Sequence, residues 1–410
     1  MAKISNGKDN CNGNEKKDSF AIEEFGADRH GLLTKILTDF EDHLTEKAGH
    51  CLGYHVNLDL NHLMDLSPLL RFHINNVGDP FKDSSFSMHS KKFEVSVLDW
   101  FAQLWEIEKD ECWGYVTNGG TEGNLQGLLL GMDCVIIRTL TTGEIDCNDL
   151  REKLCLNKDK PAIINLNIGT TFKGGVDNLD LVIKTLEECG FSNDRFYIHC
   201  DAALSGLISP FLEQGPMFSF KKPIGSVSVS GHKLLGSSMP CGVLMTKKKY
   251  ITTISKNVEY LNTLDNTISG SRNGLASIFM WYSLNVKGRL GLQQDVKKCL
   301  MNAQYLRDRL KDAGISSMLN EMSFVVVFER PPNPEFIKYW NLSCEGNMTH
   351  VIAMPHVTVK ILEDFVNDFV RERNIWYRCG RIQPPCLAEE IGTYNCCCSI
   401  HGKGSLQNGN

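Results

Sequence analysis

The chain reads as an α/β protein: a large domain on a mostly parallel sheet, followed by a smaller α+β domain. Three observations predict this. Short apolar runs at 162–168 (AIINLNI), 195–200 (RFYIHC) and 226–230 (SVSVS) have strand character, the last alternating with period two. A helical stretch at 180–190 lies between the first two, with Asp177 or Asn178 placed to cap it and Gly190 to stop it. Strand, helix, strand in that order is how parallel strands are joined. Beyond residue 290 the pattern changes to a long helix at 293–313, strands at 323–329 and 350–354, and a helix at 359–371.

Taken in order, residues 1–26 are polar and glycine-rich and predict a disordered leader without a secretory signal. Segment 27–92 opens with a helical apolar stripe (Leu33, Ile36, Leu37, Phe40, Leu44) that must bury its face on the rest of the molecule or on a second subunit. It continues as loop. The large domain is expected at 93–290: a helix at 93–108, a strand at 113–116, a glycine-rich turn, a two-turn helix, a strand at 133–140, the three strands above and a further strand at 242–246. The small domain covers 291–373. The cysteine-rich remainder, 374–410, reads as a peripheral tail.

Composition narrows the function classes. A net charge of −6 argues against a nucleic-acid partner, and no apolar run is long enough to span a bilayer. The sixteen cysteines lack any C-x-x-C pair, which predicts reduced thiols in a cytoplasmic protein. Cys396-Cys397-Cys398 with His401 is the densest cluster, but adjacent cysteines make a poor tetrahedral set, so no metal site is expected. Lys247-Lys248-Lys249 reads as a solvated turn.

Three features carry chemistry. Lys233 closes the strand-and-turn run Ser228-Val-Ser230-Gly-His232-Lys233, where α/β sheets bind ligands; a lysine desolvated there becomes a usable Schiff-base nucleophile. A solvated surface lysine is the ordinary alternative. Asp201 ends the apolar run 196–200 and precedes Ala202-Ala203, so its carboxylate needs a cationic or donor partner, such as a protonated pyridine nitrogen over the small Ala203. A helix cap is the plain alternative. Residues 117–124 (TNGGTEGN) suit a phosphate cradle at a helix start, or a simple glycine turn. A lysine imine, a carboxylate for a ring nitrogen and an anion cradle together describe pyridoxal 5'-phosphate.

At this point longer stretches become informative: 72–81, 93–124, 164–183, 194–207, 225–236, 268–274 and the terminal PPCLAEE. Through them the chain, from about Gly31 onward, resembles the group II pyridoxal-phosphate decarboxylases, in particular the plant histidine and serine decarboxylases. The resemblance implies a fold-type-I subunit in a homodimer with active sites at the interface. It implies Lys233 as the Schiff-base lysine beside His232, Asp201 at the pyridine nitrogen, and Ala203 beneath the ring. It further implies Gly120, Thr121, Ser230 and His232 at the phosphate and Thr170 near the ring. His55 falls in a segment that in the family shapes the substrate pocket, with a packing role as the alternative; Arg272 reads as an interface anion anchor or an ordinary ion pair.

The implied reaction is decarboxylation of an L-amino acid: L-histidine to histamine and CO2, with L-serine to ethanolamine as the alternative. One departure stands against it. Related enzymes carry roughly thirty further residues after the position of Met132, including a histidine that stacks on the cofactor ring, and this chain has no counterpart. The ring would lose its upper face and admit water, which predicts a shortened chain with impaired or absent catalysis.

Overall fold

The computed structural model describes residues 29–72, 74–82, 88–128, 135–212, 217–251, 256–258, 263–378, 383–398 and 400–401. The expected leader at 1–26 and the junction after Met132 lie outside them. Two compact units are present, Met1–His50 and Cys51–Asn410. The described part of the first is essentially one helix, α1 (Arg29–Ala48), along which Leu37, Phe40 and Leu44 are exposed.

The second unit begins with a run of 3-10 turns at Asn61–Arg71 inside the stretch expected to be loop, then α2 (Lys91–Leu104), β1 (Cys112–Thr117), α3 (Gly120–Leu128), α4 (Cys147–Leu156), β2 (Ala162–Asn167), α5 (Leu179–Glu188), β3 (Phe196–Asp201), β4 (Ser226–Ser230) and β5 (Gly242–Lys247). A small hairpin, β6 (Lys256–Val258) and β7 (Thr263–Asp265), precedes the long α6 (Gly274–Asp312). Then follow β8 (Ser317–Leu319), β9 (Val325–Glu329), α7 (Pro334–Tyr339), β10 (Ser343–Glu345), β11 (Met348–Ile352), α8 (Val359–Tyr377) and α9 (Ala388–Ile391).

Five strands form the main sheet in the order β1-β5-β4-β3-β2. The β2–β3 and β3–β4 pairings are parallel, while β5 is antiparallel to both β4 and β1, so four strands share one direction. Parallel pairing of β3 and β4 puts Asp201 opposite Ser228, which brings both strand ends to the same rim of the sheet. The second sheet, β10-β11-β9-β8, is antiparallel and packs with α8. One continuous apolar core runs through both sheets. The residue 290/291 boundary expected between large and small domains falls inside α6, two residues past Gly288, where the helix breaks at φ 58°.

Helix starts follow the caps the sequence offers. Asp146 accepts from the Asn148 and Asp149 N–H groups at α4, Asn273 caps α6, and Thr358 caps α8. Of the two candidates for α5, Asn178 is the cap. Asp177 is buried and accepts instead from the N–H groups of Ile145 and Asn167, both at 2.7 Å, tying the end of β2 to the preceding loop.

Two expectations need correction. Residues 135–140 form no strand beyond a single Thr139–Ile145 bridge. A strand needs a partner, and Arg138 is drawn instead to Asp149, which accepts its backbone N–H at 2.8 Å and pairs with its guanidinium, while Val135 and Ile136 face solvent. β2 therefore stands at the sheet's edge among the described residues, with only Leu166 of its six residues buried. The tail is also not peripheral: Leu387 and Ile391 enter the main core and Cys396 is buried.

Candidate active site

Glycines set how closely α3 lies on the sheet. A Cβ on Gly127 would come within 2.4 Å of the His199 ring, and one on Gly120 within 2.8 Å of Ser230 Oγ and 3.0 Å of the Ala203 methyl group. Gly119 turns the chain into the helix at φ 150°, a conformation that favours glycine. Glu122 reaches back to accept from the Asn118 backbone N–H at 3.0 Å, fixing the turn. The start of α3, whose first N–H groups have no partner within the helix, thus lies beside the ends of β3 and β4.

A cavity of about 440 Å³ opens there. Every residue that the resemblance assigns to the cofactor lines it: Gly120, Thr121, Thr170, Asp201, Ala203, Ser230, His232 and Lys233. Asn118, Asn124, Asn167, Thr171 and Pro240 complete much of the wall. Among the described residues, no phenyl, tyrosyl or indole ring lines the cavity.

Lys233 lies in the irregular turn after β4 (φ −82°, ψ −106°). Burial pushes its amine below the ordinary lysine value, partly offset by the carboxylate of Asp201. Both side chains line the same cavity, as a shared ligand requires. His232 is half-buried with Nδ1 2.9 Å from the Cys241 carbonyl, and burial lowers its pKa. Thr170 anchors its own loop: its hydroxyl accepts from the Gly175 N–H at 2.9 Å.

Asp201 is held by Asn124, to which the sequence reading gave no role of its own, and by the backbone of Ala203. Asn124 Nδ2 donates to its Oδ2 at 2.6 Å, and the Ala203 N–H donates to Oδ1 at 3.0 Å. Asn124 Oδ1 in turn accepts from Ser228 Oγ and lies 3.0 Å from His199 Nε2, while His199 Nδ1 is 2.7 Å from Ser226 Oγ. Burial holds the His199 pKa down at about 4, so the ring is neutral. With Nε2–H donating to Asn124 Oδ1, which also accepts from Ser228, Nδ1 accepts from Ser226.

His55 adds a further group. It is half-buried, its pKa is lowered to about 3 by burial and then by the charges of Lys233 and His350, and its Nε2 has no hydrogen-bond partner. Arg272 resolves to the ordinary alternative: it pairs with Glu94 in full burial and donates to the Gly78 carbonyl at 2.7 Å.

Pyridoxal phosphate fits these residues. The glycines leave space over Ala203, the α3 start offers N–H groups to a phosphate, and Asp201 and Lys233 face the same cavity.

Comparison with known proteins agrees. The pyridoxal-dependent decarboxylase conserved domain matches residues 126–330. Serine decarboxylase 1 of Oryza sativa subsp. japonica is 54% identical, over 94% of this chain and 86% of its own length. Histidine decarboxylase of Solanum lycopersicum is 52% identical, over 90% of this chain and 95% of its own. Among solved structures, L-methionine decarboxylase from Streptomyces sp. 590 shares the fold with a TM-score of 0.77 at 23% identity, covering 86% of this chain and 98% of that one. The rice match runs over 418 positions yet uses 94% of this chain's 410 residues, so about thirty of its positions have no counterpart here. No helix among the described residues is long and apolar enough to cross a membrane. With a lysine, a carboxylate and a phosphate cradle on one cavity, and with relatives matching over nearly the whole chain, the protein belongs to the group II pyridoxal-phosphate-dependent amino-acid decarboxylases, a family of fold-type-I carboxy-lyases.

Proposed function

We propose that this chain decarboxylates L-histidine to histamine, at a rate limited by the missing segment. The observation that carries the reaction class is the shared cavity of Lys233 and Asp201 at the N-terminus of α3. In this reading the first N–H groups of α3, from Gly120 and Thr121, take the phosphate together with Ser230 and His232. Ala203 lies under the ring, Thr170 at its side, and Lys233 holds the aldehyde carbon. Bound pyridoxal phosphate supplies an electron sink for the pair left at Cα when the carboxylate departs.

The protein's own groups do the rest. Burial leaves Lys233 with a larger fraction of free amine at neutral pH than a surface lysine would have. Asp201, fixed from two sides, holds a proton at the ring nitrogen. Among the described residues no phenyl, tyrosyl or indole ring lines the cavity, and in this reading orientation and dryness suffer for it; a comparable loss of positioning costs about 10²-fold in rate.

L-Histidine as substrate is supported by the tomato enzyme, 95% of whose length the chain covers. L-Serine is the second reading, favoured by the 54% identity of the rice enzyme. A homodimer is supported by the exposed apolar residues of α1.

Purified full-length protein, supplied with pyridoxal phosphate and each amino acid separately, tests this. Release of CO2 with histamine, lost in Lys233→Ala, is expected. Ethanolamine from serine without histamine would transfer the assignment to the second reading, and formation of a keto acid would overturn decarboxylation itself.

A further inference from the structure

Far along the chain, the tail folds back and gathers four ligating side chains. Cys386, Cys396, Cys398 and His401 place one donor atom each so that all four lie within 4.8 Å of one another. Cys386 Sγ is 3.8 Å from Cys396 Sγ and 3.6 Å from Cys398 Sγ, and His401 Nδ1 is 3.6 Å from Cys386 Sγ and 3.1 Å from Cys398 Sγ. Zinc bound at about 2.3 Å to sulfur and about 2.0 Å to nitrogen gives tetrahedral edges of about 3.8 Å between sulfurs and about 3.5 Å from sulfur to nitrogen. The observed separations are close to these edges. They are far too long for a disulfide, whose sulfurs sit about 2.05 Å apart.

The adjacency of Cys396, Cys397 and Cys398, which argued against a metal in the sequence, is resolved by the backbone. Alternate residues use the site and the middle one is left out: the Cys397 N–H donates to Ser316 Oγ at 2.9 Å, while Ser316 Oγ also meets Cys396 Sγ. The fourth ligand comes from ten residues upstream, across α9. The site has a built floor, since Cys396 is 3% exposed and Leu387, beside Cys386, is wholly buried.

We propose that Cys386, Cys396, Cys398 and His401 form a structural zinc site that fastens the C-terminal tail to the edge of the small sheet. Binding releases the three thiol protons to solvent, and neutral His401 donates its Nδ1 lone pair, leaving a closed Cys3His site of net charge −1 with no open position for catalysis. Its mechanical reach extends to the active site. The Glu390 carbonyl, on α9 within the metal-closed loop, accepts from Lys173 Nζ at 2.6 Å, and Lys173 belongs to the loop that Thr170 anchors.

The test uses the full-length chain purified under reducing conditions without chelator. Metal analysis is expected to find about one zinc per chain, and replacement by Co²⁺ should give the intense visible bands and thiolate charge-transfer absorption of tetrahedral cobalt. Cys398→Ser and His401→Ala should each lower zinc affinity by at least about 10²-fold. Cys397→Ser should retain the metal. Circular dichroism and gel filtration of His401→Ala, a surface change, separate loss of the site from loss of the fold. Zinc-free protein with fully titratable thiols, an octahedral cobalt spectrum, or a mass two hydrogens lighter with Cys386 linked to Cys398 would each overturn the proposal.

Discussion

Replacing Asn124 by leucine keeps much of the side-chain volume and removes the amide that joins Asp201 to the sheet interior. The bond from Nδ2 to Asp201 Oδ2 is 2.6 Å long and has a charged acceptor, a class worth about 1.5–3 kcal/mol. Its loss leaves the Ala203 N–H as the other described donor to that carboxylate, so Asp201 gains a torsional freedom that pairing with a ring nitrogen must remove again. Converted at about 1.4 kcal/mol per factor of ten, the affinity for pyridoxal phosphate should fall about 10- to 100-fold. The orphaned Nε2–H of His199 and the Ser228 hydroxyl add a separate cost of about 1–3 kcal/mol each, which appears in folding stability instead. Absorbance titration with pyridoxal phosphate, read beside urea unfolding, measures the two effects independently. Asn124→Asp supplies the control for a purely structural role. It sets a second carboxylate against Asp201, so one proton is shared at low pH, and its cofactor affinity should fall further as pH rises. If Asn124→Leu folds, binds the cofactor with unchanged affinity and turns over normally, Asp201 needs no positioning and the network is only packing.

Three further outcomes follow from the same interior. Gly127→Ala improves helix propensity by about 1 kcal/mol, yet its methyl group would press on the His199 ring at 2.4 Å; overpacking of about 1–3 kcal/mol should win, and a rise in urea midpoint would show that the ring has room. Arg272→Leu strands the buried Glu94, which keeps only the donors Asn76 Nδ2 and the Val116 N–H. A loss of about 3–5 kcal/mol is expected, and a soluble variant of wild-type stability would contradict it. Stability should also be acid-sensitive. His199 titrates near 4 when folded and near the ordinary 6.5 when unfolded, so the unfolded state takes up the proton first as pH falls. Stability from this residue is whole above about 6.5 and shrinks through about 4, by on the order of 3 kcal/mol. A flat denaturation midpoint across that window would refute it.

How much of this was legible depended on whether a residue's neighbours lie near it in sequence. Strands β2 to β5 were readable because their apolar runs are bounded by turns, and the observed bounds differ by a residue or two. Lys233 and Asp201 were readable because each follows a strand, and parallel strands end on one rim. Asn124 and His199 were not. His199 sits inside FYIHC and looks like a tolerated core residue, while Asn124 is one of several polar residues after a glycine turn; only the packing of α3 on β3 joins them. The first half of α6 was missed for a different reason. Ala276, Ile278, Phe279, Met280 and Leu284 are buried around most of its circumference, so no polar face marks it as helical. The described part of the expected strand, 135–140, pairs only at Thr139, because apolar content alone cannot supply a pairing partner.

The absent segment separates two properties that the family normally has together. Every group expected to hold the cofactor hangs from α3, the ends of β3 and β4 or the Thr170 loop, and all of them are assembled here. What is thin, among the described residues, is the rest of the surroundings: β2 stands at the sheet's edge, Val135 and Ile136 face solvent and no phenyl, tyrosyl or indole ring lines the cavity. Affinity for pyridoxal phosphate depends on the first set, whereas orientation of the scissile bond and exclusion of water depend on the second. Inserting the corresponding segment of the tomato enzyme after Met132 should therefore raise turnover by about 10²-fold while changing cofactor affinity little, because the new wall acts on the reacting bond and not on the phosphate or the ring nitrogen. It should also raise the unfolding midpoint and suppress aggregation by giving β2 a second partner. An insertion that restores cofactor binding from nothing would show that the half-site described here does not suffice to hold the cofactor, and that the missing wall is part of the binding site itself.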